Sequence, residues 1–323
     1  MSPESVPYTE VAAAVFVRDD GSYLLAQRPA GKVYAGYWEF PGGKLEPGEH
    51  FAEALIRELQ EELGVTPIEF DPWITRIHHY EHASVRLRFF RVWRWQGDFE
   101  CREFQSICWQ QPGREAANPM LPANGPILRA LCLPPMLGIS RARELGEDEF
   151  VRRLPPVLNS GLRLVMLREK SWSDEKLRQF AMTRVIPACR AADAICVVNA
   201  DVDLARATQA DGVHFTSARL MAAAERPSLR WCGASCHDEA ELRQAEKLGL
   251  DYVVLGPVLP TQSHPDQVPM GWERFGKLIR DYSLPVYALG GMDHSCLGMA
   301  RCHGAHGIAV MRAAWDVQPL LSG

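Results

Sequence analysis

Three glutamates in one short segment, Arg57-Glu58-Leu59-Gln60-Glu61-Glu62-Leu63, are the residues of this chain best suited to do chemistry. On a helix the positions i, i+3 and i+4 share a face, so Glu58, Glu61 and Glu62 would project together and repel one another without a cation. Oxygen-only ligands of high charge density select a hard ion such as Mg²⁺ or Mn²⁺, which also suits phosphate oxygens. The chemistry implied is hydrolysis of a phosphoanhydride. With the pyrophosphate charge neutralised by metal, a water attacks phosphorus while one carboxylate accepts its proton. Gly42 and Gly43, ahead of the segment, permit a tight loop whose carbonyl reaches the metal. Carboxylates on a helix are ordinarily a solvated face, so the elements around them have to carry the argument.

The helix itself is read from Phe51 to Leu63, where Phe51, Leu55, Leu59 and Leu63 recur at helical spacing as the packing face and Glu53, Glu58, Glu61 and Glu62 lie off it. Val11 to Val17, closed by Asp19-Asp20-Gly21 and resumed by Tyr23 to Ala26, reads as a hairpin. Val85 to Trp95 is rich in aromatic and β-branched residues and ends at a Gln96-Gly97-Asp98 turn, so this half is α+β. Ile127 to Cys132 looks like a closing helix, and Leu133-Pro134-Pro135 marks a boundary between domains at 1–132 and 134–323. Beyond it eight short apolar runs recur: Met136 to Ser140, Leu164 to Leu167, Ile195 to Asn199, Val213 to Phe215, Trp231 to Ser235, Tyr252 to Gly256, Val286 to Gly290 and Gly307 to Met311. Helical patterns such as Asp174 to Ala188 and Asp238 to Leu248 separate several of them. Strand alternating with helix predicts a parallel sheet, and eight such units close a (β/α)8 barrel of TIM type.

At 323 residues the chain is long enough for two cores, and its net charge of −5 carries no basic stripe. That argues against a nucleic-acid polymer or a membrane surface as partner and for small molecules. Nine cysteines lie singly without a CxxC pair, Met1 to Glu10 has no basic n-region, and no apolar run approaches a membrane span. The expectation is a cytoplasmic protein. Its oligomeric state is not readable.

The run from Gly43 through Glu49 to Arg57 and Val65 resembles the Nudix signature, G-x5-E-x7-R-E-U-x-E-E-x-G-U with U aliphatic, at every fixed position. The resemblance implies that Glu58, Glu61 and Glu62 bind metal, that Arg57 and Glu49 brace the loop and helix, and that Gly43 lends its carbonyl. Trp38-Glu39-Phe40-Pro41-Gly42-Gly43-Lys44 and Leu121-Pro122-Ala123-Asn124-Gly125-Pro126 further resemble MutT-type 8-oxo-dGTP diphosphatases. By that resemblance Asn124 reads the base through its amide, Phe40 and Glu39 help enclose the substrate, Arg28 contacts nucleotide, and Glu103 stands where a further metal-binding glutamate is carried. The subfamily's base-contacting aspartate falls near Tyr80 to Ser84, where this chain has none. His78, His79 and His82 cluster there and read as loop histidines.

The second half resembles the thiamine-phosphate synthase and TenI-type tautomerase superfamily. The resemblance is carried by Leu167-Arg168-Glu169-Lys170, Ala210-Asp211-Gly212-Val213-His214, Gly233-Ala234-Ser235-Cys236-His237, Gly256-Pro257-Val258-Leu259-Pro260-Thr261, Pro285-Val286-Tyr287-Ala288-Leu289-Gly290-Gly291 and Gly307-Ile308-Ala309-Val310. It implies a phosphate pocket at Gly290 and Gly291, a second anionic contact at Arg168 and Lys170, a further candidate at Thr261, and His237 at the position of the tautomerase histidine. The synthase's Asn-Asp-Arg metal motif stands here as Asn199-Ala200-Asp201, and its Gly-Gln-Glu-Asp as Thr216-Ser217-Ala218-Arg219. With both carboxylates replaced, synthase chemistry is not expected. Two readings stay open: sanitation of oxidised purine nucleotides such as 8-oxo-dGTP, or hydrolysis of a thiamine-type pyrophosphate beside a barrel that is a tautomerase, a sensor of a phosphate-bearing ligand, or a structural partner.

Overall fold

Strand β1 (Thr9–Phe16) sends Ala12, Ala14 and Phe16 into one apolar cluster and Ala13 and Val15 into another, so its continuous run of small and branched residues is buried on both faces. The computed structural model describes residues 8–81, 83–199, 201–261 and 268–316. His82 and Ala200, singled out in the sequence, lie outside them. Strands β2 (Tyr23–Gln27), β3 (Trp38–Glu39), β4 (Gly42–Lys44), β5 (Thr66–His79), β6 (Ser84–Gln96) and β7 (Ser106–Gln110) complete two sheets, ordered β4-β1-β6-β5 and β3-β2-β7.

The hairpin expected of β1 and β2 does not form. Both edges of β1 are taken, by β4 antiparallel and by β6 parallel, so β2 has no edge to join and pairs with β3 and β7 instead. A single bridge between Val17 and Tyr23 is all that remains of the expected pairing. Strand β5 was hidden in the sequence by Pro67 and Pro72. It is an edge strand whose pairing with β6 shifts register around both prolines, which is where a sheet tolerates them.

Helix α1 (Phe51–Leu63) buries Leu55, Leu59 and Leu63 against the first cluster, opens with a capping box between His50 and Glu53, and ends at the left-handed Gly64 (φ 70°). Helix α2 (Gly125–Leu131) closes this half, preceded by a 3₁₀ turn over Pro122–Asn124.

The second half is a closed barrel of eight parallel strands: β8 (Met136–Ile139), β9 (Leu164–Leu167), β10 (Ile195–Asn199), β11 (Gly212–Phe215), β12 (Trp231–Cys236), β13 (Tyr252–Leu255), β14 (Val286–Leu289) and β15 (Gly307–Val310). Their pairing is sequential, and β15 returns to β8. The compact units are Met1–Cys132 with Arg280–Ser283, and Leu133–Ile279 with Leu284–Gly323. Among the described residues no helix is long and apolar enough to cross a membrane.

Candidate active site and barrel cavity

Two glycines fix the geometry around α1. Gly42 has φ +140°, and a Cβ there would lie 2.1 Å from the Ala12 carbonyl oxygen across the β1–β4 pair. At Gly43 a Cβ would lie 2.1 Å from the carboxyl carbon of Glu58, so that carboxylate rests directly on the loop backbone. The Gly42 N–H donates to Glu62 Oε2 at 3.0 Å. Glu62 is buried, and burial, with the charges of Glu58 and Glu39 adding to it, pushes its pKa up to about 8 against the stabilising Gly42 N–H. The Glu62 carboxyl is thereby held at the mouth of a backbone loop, where its ionised form is disfavoured.

Arg57 organises the outer side. Its Nε and one terminal nitrogen grip the two oxygens of Glu49 at 2.9 Å each, the same nitrogen donates to the Lys44 carbonyl at 3.0 Å, and the other donates to Glu58 at 2.9 Å and Glu61 at 3.3 Å. The arrangement holds Glu49 below the usual carboxylate range and raises Arg57 further above its own. Glu61 is turned outward to Arg57, and its side chain is 56 % exposed. Glu103 is exposed as well. Its backbone N–H reaches the Glu62 carbonyl at 3.4 Å, while its carboxylate pairs with Lys32 at 3.1 Å. Among the described residues no three His, Cys, Asp or Glu side chains stand close enough together to hold a metal ion as they are. The donor set nonetheless fits a hard cation: Glu58, resting on the Gly43 backbone, and the buried Glu62 carboxyl offer oxygens whose ionised forms a cation would favour.

Beyond the carboxylates, Arg28 is committed to its own loop. It grips both oxygens of Glu39 at 2.7 and 2.6 Å and donates Nε to the Val33 carbonyl at 2.8 Å. Burial raises the pKa of Glu39 in spite of Arg28. Phe40 is buried and packs on Tyr23 and Phe89 within the core. Asn124 is buried too, and its side-chain amide donates only to the Met120 sulfur at 3.9 Å, a weak partner for a group that can make several bonds. Backbone bonds from Trp38 N–H to Pro119 and from Leu121 N–H to Trp38 place the Asn124 segment beside β3.

Two tyrosines, Tyr34 and Tyr80, escaped the sequence reading, and His78, expected in a loop, lies in β5. Tyr34, at φ 60°, meets Tyr80 at 5.8 Å, and Tyr80 meets His78 at 4.3 Å, forming a half-buried wall. Burial and the neighbouring Tyr34 and Glu39 raise the pKa of Tyr80, so the wall adjoins the Arg28–Glu39 pair. The only hint in the sequence was an unusual density of tyrosine around Gly36.

In the second unit a cavity of about 950 Å³ opens at the carboxyl ends of the barrel strands, as in most barrel enzymes. Arg168, Lys170, His237, Thr261, Gly290 and Gly291 all line it. Burial lowers the pKa of Arg168, and the Arg168 charge, with some burial, lowers that of Lys170. Among the described residues neither cation has an ion-pair partner within 4.0 Å. Gly290 and Gly291 have φ of +100° and +68°, and Cβ atoms there would meet Pro257 and Leu259 at 2.7 Å, so backbone alone forms that wall. Asp201 does not enter the cavity lining. It caps the following helix, accepting from the N–H groups of Asp203 and Leu204. Deeper in the barrel His214 is fully buried between Ser235 (2.9 Å) and Tyr252 (3.3 Å).

Fold and site define a two-domain protein, an α+β hydrolase domain followed by an eight-stranded barrel with a cationic mouth. Comparison with known proteins agrees: a NUDIX domain family matches residues 8–131, and the TMP-TENI family, thiamine monophosphate synthase, matches residues 137–314. The chain belongs to the Nudix hydrolases, which act on pyrophosphate bonds, through its first domain, and to the thiamine monophosphate synthase/TenI family through its barrel. It is 41 % identical over 124 residues to CTP pyrophosphohydrolase of Escherichia coli (strain K12), covering 38 % of this chain and 89 % of that protein. It is 32 % identical over 179 residues to putative thiamine-phosphate synthase 2 of Aquifex aeolicus (strain VF5), covering 55 % of this chain and 95 % of that one. Among solved structures, thiamine phosphate pyrophosphorylase from Pyrococcus furiosus is 27 % identical with a TM-score of 0.47, covering 57 % of this chain and 89 % of that one.

Proposed function

We propose that the first domain is a cytoplasmic Mg²⁺-dependent nucleoside triphosphate pyrophosphohydrolase, with oxidised purines such as 8-oxo-dGTP as its leading substrates. Mg²⁺, or Mn²⁺ in its place, held by Glu58, Glu61, Glu62 and the Gly43 carbonyl, with Glu103 as a further candidate, would neutralise phosphate charge and acidify a water. The chain's own residues do the rest. Arg57 fixes the spacing of Glu49, Glu58 and Glu61, and Glu62, once a cation beside it favours the ionised form, can take the proton of the attacking water. Products are a nucleoside monophosphate and pyrophosphate.

The observation that carries a nucleotide substrate is Asn124, a buried amide with almost no partner of its own, next to the strand that bears Glu39. Leaving such a group unpaired costs about 1–3 kcal/mol, and the edge of a base would satisfy it. Steady-state kinetics on 8-oxo-dGTP, dGTP, CTP and ADP-ribose test the proposal, and equal rates on 8-oxo-dGTP and dGTP would remove the sanitation reading. A pyrimidine triphosphate is the second reading. It is favoured by the E. coli relative and by a Tyr34–Tyr80 wall with no aspartate beside it, since a stacking surface discriminates little between bases. A preference for a thiamine-type pyrophosphate would establish the third.

For the barrel we propose a site for a small phosphate-bearing ligand without synthase activity. It rests on two cations without an ion-pair partner among the described residues, in a cavity also lined by backbone at Gly290 and Gly291. His237 in the same cavity makes proton transfer on that ligand the chemistry to expect, with ligand sensing as the alternative. Calorimetry with inorganic phosphate tests it, and no heat at millimolar ligand would reject the site.

A further inference from the structure

His237 does not stand alone at the cavity wall. Its Nδ1 lies 2.9 Å from Glu241 Oε2, and its backbone N–H donates to the same oxygen at 2.7 Å. The other carboxylate oxygen of Glu241, Oε1, accepts a short hydrogen bond from the Ser217 hydroxyl. Ser217 opens the helix Ser217–Ala222 that follows β11, so the segments after two neighbouring barrel strands converge on one carboxylate. The Glu241 side chain is only 14 % exposed, whereas that of His237 is 51 % exposed. Ser217 and His237 both line the cavity, and among the described residues Nε2 of His237 has no hydrogen-bond partner.

An ionised carboxylate can only accept, so the proton between Glu241 and the ring belongs to Nδ1. The lone pair of the neutral ring is then on Nε2, facing away from the protein. We infer that Glu241 and Ser217 are positioning residues that fix His237 in this tautomer and aim Nε2 into the cavity as an acid–base group.

The inference rests on the reading of the barrel as a proton-transfer site. Nε2 takes a proton from one atom of the ligand and returns it to another, so the ligand isomerises and no co-reactant is consumed. Arg168 and Lys170 would hold the anionic end of the ligand meanwhile, and no acidic side chain of the family's metal-binding pattern is required.

A helix cap would explain less. The helix Glu239–Lys247 already has its N-cap in Asp238, which accepts from the Glu241 N–H at 3.0 Å. A cap alone gives no reason for the carboxylate to engage the imidazole or for Ser217 to occupy its second oxygen.

The test uses the full chain labelled with ¹⁵N at histidine and long-range ¹H–¹⁵N correlation at about pH 8.5, where an ordinary imidazole is neutral. The His237→Gln variant identifies its signals. In the wild type the Nδ1 resonance should be that of a protonated nitrogen and the Nε2 resonance that of an unprotonated one. Glu241→Ala should exchange the two, giving the Nε2–H form that free imidazole side chains favour. A wild type already in the Nε2–H form, or a Glu241→Ala variant that keeps Nδ1–H, overturns the inference. If Glu241→Ala loses amide dispersion, Ser217→Ala decides: averaging of the two ring resonances supports the relay, and an unchanged Nδ1–H overturns it. Titration of the same wild-type sample with inorganic phosphate separates this from the underlying reading. No perturbation of His237 Nε2 at millimolar phosphate defeats the ligand site while leaving the tautomer result standing.

Discussion

The two halves of the molecule hold opposite charges out of balance. In the Nudix domain a buried carboxylate, Glu62, is steadied by the Gly42 N–H and the Lys32 charge against burial and the like charges of Glu58 and Glu39. In the barrel two cations, Arg168 and Lys170, line a cavity, and the Arg168 charge depresses Lys170. Folding alone would not favour the buried Glu62 anion, because a poorly compensated charge out of water costs several kcal/mol. On the proposed reading the two sites would take opposite partners, a cation in one and an anion in the other. Charge that is only structural is compensated within the chain, as Arg57–Glu49 and Arg28–Glu39 illustrate.

The sharpest break of this comparison is Glu62→Gln. Removing the anion should lower kcat on a nucleoside triphosphate by about 10³-fold and weaken the dependence on Mg²⁺, read by steady-state kinetics across a magnesium titration. Unchanged turnover and metal dependence would mean the charge imbalance in the first domain has no catalytic meaning. Next comes Gly43→Ala, which keeps every charge but drives a methyl into the Glu58 carboxylate. A loss of about 10²-fold in kcat/KM with little change in thermal stability is expected, since small displacements at a reacting centre are costly.

On the cationic side, Arg168→Met should weaken inorganic phosphate binding about tenfold by calorimetry and leave nucleotide hydrolysis unaltered. Equal phosphate affinity would show that the barrel cation serves only its own fold. The smallest effect concerns His214. Burial, assisted by the Arg168 charge, pulls its pKa down to about 3, below the ordinary 6.5 of the unfolded chain. The unfolded state therefore binds more protons between those values. Stability is fully present above about 6.5 and is lost as pH falls toward 3. Urea titrations should show a loss of about 1 kcal/mol between about pH 7.5 and about pH 5.5, absent in His214→Gln.

Much of this was readable beforehand, and what was not has physical causes. The eight barrel strands announced themselves because parallel strands buried on both faces must be continuously apolar, as Tyr252–Leu255 and Gly307–Val310 are. Helix α1 was legible to the residue because its leucine stripe and its terminal Gly64 agree. Strand β5 was not, because Pro67, Glu69 and Pro72 sit at bulges that erase the two-residue alternation. The β1–β2 pairing was misread because local turn chemistry cannot reveal that distant β4 and β6 occupy both edges of β1. Among the candidate site residues, Glu58 and Glu62 were singled out by spacing and His237 by family resemblance, whereas Tyr34, Tyr80, Ser217 and Glu241 are linked by contacts that the sequence pattern does not display.

Closure of the barrel has a consequence for how the chain is made. The sheets and the core clusters of the Nudix domain draw on residues up to Ala130, so most of that half can assemble while the barrel is still being synthesised. The ring closes only when residues 307–310 reach residues 136–139, more than a hundred and fifty positions earlier. Until then β8 and the newest strand each present an unpaired edge, the kind of surface that recruits other chains. Ribosome-bound intermediates should therefore acquire hydrolase activity well before the barrel resists proteolysis, and agents that slow synthesis past Leu289 should prolong the period of vulnerability.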